Sequence, residues 1–206
     1  MNTRYLLAAA AILVAAVAIY FFFFSGGQTI ANYPSKGTDI VAFGDSLVAG
    51  EGSTDDHDFV SLLSANLGRP IINLGVPGNT TAQGLARLNT LDAYKPKVVL
   101  LLLGGNDYLK RVPQEQTFKN LAEIIQDIQS RGAIVLLLGV RGGLFGDHFS
   151  SGFQNLADTY HTAYVSNVLD GLLGEPKYMS DQVHPNDAGY AIVAGRIAPV
   201  LKNLLQ

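Results

Sequence analysis

The sequence predicts an α/β fold: a three-layer α/β/α sandwich around a central parallel sheet of about five strands. Two observations predict it. Several short runs are apolar at every position rather than at alternate ones, notably Val98 to Leu103 and Ala133 to Val140. Strands of that kind are buried on both faces, which is the habit of parallel sheets. These runs also alternate with longer stretches of helical spacing, the βαβ order that places helices on both sides of a sheet.

Asp39 to Phe43 reads as the first strand, closed by Gly44, and Phe59 to Leu67 as a helix that stops at Gly68. Pro70 to Leu74 is the second strand, closed by Gly75, and Thr81 to Leu91 has helical spacing. Val98 to Leu103 is too short for a helix and ends at Gly104-Gly105. Gln114 to Arg131 is the clearest helix: Pro113 suits its start, and Phe118, Leu121, Ile124, Ile125 and Ile128 fall on one face. Ala133 to Val140 is a further strand, followed by a glycine-rich loop from Arg141 to Gly146. A helix from about Ser151 to Tyr164, a short strand near Val165 to Leu169 and a helix from about Asn186 to Leu204 complete the chain. The series is flavodoxin-like, and such sheets gather their ligand site beyond the carboxyl ends of the strands.

The chain has 206 residues, enough for one domain with a full core, assigned to residues 38–206. Its net charge is −3, from 14 basic and 17 acidic residues without a Lys/Arg cluster, so it offers no footprint for nucleic acid. The absence of cysteine excludes disulfides, thiolate metal sites and a cysteine nucleophile. Residues 1–24 differ from the rest. From Tyr5 to Phe24 no residue is charged, a length that as a helix spans about 30 Å, the hydrocarbon thickness of a bilayer. Arg4 on the short side favours an N-in, C-out anchor in a bacterial membrane. A cleaved signal peptide is the other reading, with Ser25-Gly26-Gly27 as the small residues before a cut. Both readings place the domain outside the cytoplasm, periplasmic or at the cell surface. Residues 25–37 read as a linker.

Four polar segments fall at the strand ends: Gly44-Asp45-Ser46-Leu47, Gly75 with Pro77-Gly78-Asn79, Gly104-Gly105-Asn106-Asp107, and Asp181-Gln182-Val183-His184-Pro185 ahead of the last helix. Acyl transfer needs an activated nucleophile, a base, a group that orients the base, and donors for a tetrahedral oxyanion. Ser46 can project its hydroxyl from the sheet edge. His184 can serve as base, and Asp181 can accept from its Nδ1–H and fix the tautomer. The backbone N–H groups of Ser46 and Gly75 and the side-chain amide of Asn106 can form the oxyanion hole.

These four segments in this order resemble the signature of the SGNH/GDSL hydrolases. Gln83-Gly84-Leu85-Ala86-Arg87-Leu88 and Leu103-Gly104-Gly105-Asn106-Asp107 further resemble the bacterial acyl-CoA thioesterase/arylesterase/lysophospholipase group. The resemblance runs from about Asp39 to Leu201. It implies a metal-independent serine hydrolase without cofactor, acting on a small acyl ester or thioester, with a lipid among the possible substrates. Ser46 is then the nucleophile, Asp181 and His184 complete the triad, and Gly75 and Asn106 complete the oxyanion hole. Gly44-Asp45-Ser46-Leu47-Val48 fails the G-x-S-x-G elbow of α/β-hydrolases. A carbohydrate or cell-wall O-acetylesterase using the same triad is an alternative, and a non-catalytic, membrane-tethered binding module is a second.

His57, within Asp55-Asp56-His57-Asp58, reads as a solvated loop, His148 as surface beside the glycine-rich loop, and His161 as an ordinary helix residue. Asp45 and Asp107 could join Asp181 as metal ligands, but hard cations gather more carboxylates around one point. Asp45 reads instead as a brace for its own turn. Asn79 is a candidate support for the second segment. Tyr108, Leu109, Leu144 and Phe145, on loops at the active edge, are candidates to line an acyl groove.

Overall fold

The computed structural model describes residues 29–140 and 148–206. Strands β1 (Asp39–Gly44), β2 (Ile71–Gly75), β3 (Pro96–Leu102), β4 (Ile134–Leu138) and β5 (Ala163–Val165) form one sheet in the order β2-β1-β3-β4-β5. Every pairing is parallel. Each residue of β4 is buried, as is all of β3 except Lys97. The edge strand β2 is only half-buried. The predicted sandwich and its flavodoxin-like strand order are both present.

The helices are α1 (Ser46–Ala49), α2 (Phe59–Leu67), α3 (Thr81–Ala86), α4 (Gly105–Leu109), α5 (Gln114–Ser130), α6 (His148–Tyr160) and α7 (Asp187–Leu204). Helix α2 packs on α7, while α5 packs between α3 and α6. Right-handed crossovers put these two sets on opposite faces, because β1 to β2 runs one way along the sheet and all later connections run the other. Helix α2 starts where Asp58 Oδ1 accepts from the N–H groups of Val60 and Ser61, and stops at Gly68 with φ +61°. The predicted apolar face of α5 is buried: Leu121, Ile124, Ile125 and Ile128 have no exposed surface.

Three regions differ from expectation. The helix expected over Thr81 to Leu91 breaks at Arg87 (φ −116°, ψ 19°) and resumes as a 3₁₀ turn, Leu88–Ala93. Its side chain is drawn inward there, as described below. Helix α6 ends at Tyr160 instead of Tyr164, and His161, expected inside it, takes φ +52°. Thr162 N–H closes that turn on Ala157 O, and Ala163–Val165 pair with Leu136–Leu138, so the last strand lies earlier than Val165 to Leu169. Sheet pairing overrides the helical period. Helices α1 and α4 were not foreseen.

The third difference concerns the linker. Residues 29–37 are held to the domain: Ala31 N–H donates to His161 O (2.9 Å), Asn32 Nδ2 to Gln129 O (2.8 Å) and Ala133 O (3.0 Å), and Ser35 Oγ to Gly132 O (2.7 Å). Asn32 and Ser35 thus bond carbonyls between α5 and β4, and Ala31 bonds one just beyond α6. The segment read as an anchor, Tyr5 to Phe24, lies outside the described residues. Among the described residues no helix is long and apolar enough to cross a membrane.

Candidate active site

Strand β1 ends where its backbone presses on β3: a Cβ on Gly44 would stand 2.2 Å from Leu102 O. The chain then turns through Asp45, whose Oδ1 accepts from Leu47 N–H at 3.0 Å and starts α1. This is the brace expected of Asp45. Ser46 is the first residue of α1, so its own N–H has no partner within the helix. Its position lies at the sheet reversal between β1 and the strands on either side, where doubly wound folds open a crevice.

The loop before α7 supplies the opposite side. Met179 and Pro185 bridge, and Ser180 N–H donates to His184 O at 2.8 Å, which closes the loop. Asp181 Oδ1 accepts from the N–H groups of Val183 (2.8 Å) and His184 (2.7 Å). Asp181 Oδ2 meets His184 Nδ1 at 2.7 Å, and His184 Nε2 meets Ser46 Oγ at 3.0 Å. An ionised carboxylate can only accept, so Nδ1 carries the proton and Nε2 is left to accept from the serine hydroxyl. The hydrogen bond from His184, followed by that from Val183 N–H, holds the Asp181 carboxyl down at about 2.

Asn106, in α4, directs Nδ2 to Asn79 O at 3.1 Å and to Asp45 Oδ2 at 3.3 Å. Burial pushes the Asp45 carboxyl up to about 6, against the Leu47 N–H bond and the field of His184. Gly75 does not fit the role expected of it. Its N–H donates to Asn73 Oδ1 at 2.9 Å, and a Cβ there would stand 2.2 Å from Ala49 N, so this glycine serves the packing of β2 on α1. Of the two glycines that follow β2, Gly78 is the one that lines the pocket. Val76 to Asn79 form a type II turn: Asn79 N–H donates to Val76 O (3.2 Å), and Gly78 has φ +76°. The Gly78 N–H donates no hydrogen bond among the described residues, and nothing lies within 4 Å of its Cβ position. Sequence reasoning missed this residue, although Pro77-Gly78-Asn79 carries the signature of that turn.

The residues that match, in their order and spacing, belong to a known group. Residues 42–192 match the GDSL-like Lipase/Acylhydrolase family. The chain belongs to that family. It is 34% identical over 178 residues to Esterase TesA of Pseudomonas aeruginosa, covering 81% of this chain and 89% of that one. It is 30% identical over 175 residues to the Thioesterase 1/protease 1/lysophospholipase L1 of Escherichia coli K12, covering 81% and 84%. Among solved structures, TesA superposes with a TM-score of 0.75 at 34% identity, over 81% of this chain and 99% of that chain. AlinE4, an SGNH-hydrolase family esterase, superposes with a TM-score of 0.64 at 31% identity, over 84% and 100%.

The hydrolase carries a cavity of about 930 Å³ against Ser46, Asn106 and His184. Its walls are mainly apolar: Leu47, Val140, Phe149, Leu169, Leu173 and Met179 contribute, with Tyr108 and Leu109 at the rim, 42% and 56% exposed. Tyr108 stacks edge-on against Phe149 at 5.6 Å. The two rim residues were expected there, whereas Leu144 and Phe145 lie outside the described residues. Leu169, Leu173 and Met179 come from the irregular segment after β5, where no periodicity marks them. Asp107 is not a companion of Asp181. It is fully buried and accepts from Thr81 N–H (2.8 Å) and Thr81 Oγ1 (2.5 Å). His57 is exposed, with Nδ1 near Thr54 Oγ1 and Asp55 O, away from the pocket.

Proposed function

We propose that this hydrolase cleaves acyl esters or thioesters through an acyl-enzyme on Ser46. The observation that carries the reading is the continuous path from Asp181 Oδ2 through His184 (2.7 Å) to Ser46 Oγ (3.0 Å), joining residues 138 positions apart. Ser46 Oγ attacks the acyl carbon while its proton passes to His184 Nε2. That proton then goes to the leaving oxygen or sulfur as its bond to the acyl carbon breaks. A water gives a proton to His184, its oxygen attacks the acyl-enzyme, and the acid leaves as Ser46 regains its proton. Ser46 N–H and Gly78 N–H are donors to the oxyanion, with Gly78 in the place expected of Gly75, and Asn106 Nδ2 joins them by turning one N–H away from Asp45 Oδ2, its longer contact at 3.3 Å.

The apolar walls favour an acyl chain of several carbons, as in aryl esters, lysophospholipids or fatty thioesters, over the acetyl group of a carbohydrate O-acetylesterase. The uncharged run Tyr5 to Phe24 supports action outside the cytoplasm, with the chain either anchored or released. A p-nitrophenyl ester series from acetyl to palmitoyl tests both the chemistry and the chain length. Ser46→Ala is expected to lose at least about 10⁴-fold in kcat and all fluorophosphonate labelling, with its fold intact. Undiminished hydrolysis by that variant overturns the assignment, and a preference for acetyl overturns the chain-length reading.

A further inference from the structure

The stretch Gln83-Gly84-Leu85-Ala86-Arg87-Leu88 holds a residue that touches two of the segments around the site without lining the pocket itself. Gln83 Oε1 accepts from Thr80 N–H at 2.9 Å, closing a capping box that starts α3. Gly84 lets α3 lie close to the sheet, since a Cβ there would stand 2.5 Å from Leu103 Cδ1. That proximity brings Arg87 beneath the end of β1. Its guanidinium carbon sits 3.9 Å over the Phe43 ring. Nη2 donates to Gly44 O at 2.7 Å, and Nε donates to Asn79 Oδ1 at 2.7 Å. Phe43 and Gly44 immediately precede Asp45-Ser46, and the carbonyl of Asn79 is the one that holds the Asn106 amide.

We propose that Arg87 is a positioning residue for acyl transfer: one rigid fork fixes the turn carrying Ser46 relative to the Gly78–Asn79 turn and, through Asn79, to Asn106. The proposal rests on the acyl-hydrolase reading above. Simple satisfaction of a backbone carbonyl does not account for the contact, because Gly44 O already accepts from Val76 N–H at 3.0 Å. The helix also breaks at Arg87 although Leu88 and Leu91 continue its apolar period into the core. Donors to an oxyanion act by being fixed before the reaction, so a strut that sets their spacing changes turnover more than substrate capture. Lysine cannot replace it, since a point donor reaches one of the two acceptors but does not present the fork.

The test is a double-mutant cycle on the full chain with p-nitrophenyl butyrate as probe. Arg87→Lys is expected to lower kcat by about 10–100-fold with KM within about threefold of the parent. In an Asn106→Ala background the same substitution is expected to cost less than about threefold, because the group it positions is gone. Parental kcat in Arg87→Lys, or a loss of equal size in both backgrounds, overturns the proposal. Should Arg87→Lys not fold, Asn79→Ala deletes the Nε acceptor alone and is read by the same two criteria. Ser46→Ala is measured alongside. Hydrolysis persisting in it overturns the acyl-enzyme reading, whereas an inactive Ser46→Ala beside a parental Arg87→Lys overturns only the role of Arg87.

Discussion

Asp45 and Asp181 serve the same serine from opposite ends of the chain, in contrary surroundings. Asp45 is 3% exposed and is surrounded by parts remote in sequence: Asn106 donates to it, and Arg87 lies close enough to feel its charge. Its carboxyl is pushed up to about 6 by loss of water. The Asp181 side chain is 54% exposed, and all three of its hydrogen-bond donors lie two or three residues away. Those donors hold its carboxyl down at about 2. The Ser46 side of the site is thus built into the fold, while the His184 side is a local loop set upon it. Changes on the first side should register in both stability and rate, and changes on the second in rate alone.

Among variants that set the two carboxylates' sides apart, the largest effect is expected from Asp181→Asn. Its Oδ1 can still accept from Val183 and His184 N–H, but its amide turns a donor toward His184 Nδ1 and selects the wrong tautomer. A kcat loss of about 10²–10⁴-fold with an unchanged melting temperature is expected. A parallel fall in melting temperature would break the contrast. Asn106→Ala comes next, with kcat reduced about 10²–10³-fold, and here the melting temperature should fall too, because Asp45 Oδ2 loses its donor.

Gly78→Ala is expected to cost roughly tenfold in kcat, since an L side chain resists φ +76° and disfavours the turn that presents the N–H. Gly75→Ala sharpens the distinction. Its Cβ would strike the backbone of α1, so its effect is expected in thermal unfolding and solubility rather than in the kinetics of the folded fraction.

The last effect lies in the pH dependence of stability. Native Asp45 holds its proton up to about 6, against 3.8 for the ordinary group, so its contribution is full below pH 3.8 and is lost as pH rises through 6. Denaturant unfolding between pH 4 and 7 should show this as a decline of at most about 3 kcal/mol that is absent in Asp45→Asn. Asp181 has the opposite sign, present above pH 3.8 and lost as pH falls through about 2, but solvent around its half-exposed side chain screens this contribution to a size that leaves the melting temperature unmoved. An Asp45→Asn curve as steep as the parent's would show that burial does not govern this carboxylate.

Much of this site was legible because its key residues sit at punctuation. Ser46 follows a strand-ending glycine, and Asp181 and His184 share one short loop ahead of a helix start. Gly75 and Gly78 could not be told apart by counting, since both follow the second strand. Only packing reveals that one is consumed by α1 and that the other turns its backbone into the pocket. Arg87 was hidden by its neighbours, because Leu88 and Leu91 sustain a helical period across the break. The pocket walls at Leu169, Leu173 and Met179 belong to a segment whose shape is set by what it packs on.

Residues 29–37 are fastened to the floor of the sheet, where the strands begin, whereas the catalytic mouth opens where they finish. Thr29 therefore lies toward the pole opposite the mouth. A fluorophore attached at the exposed Thr29 is expected to leave the pocket open to substrate.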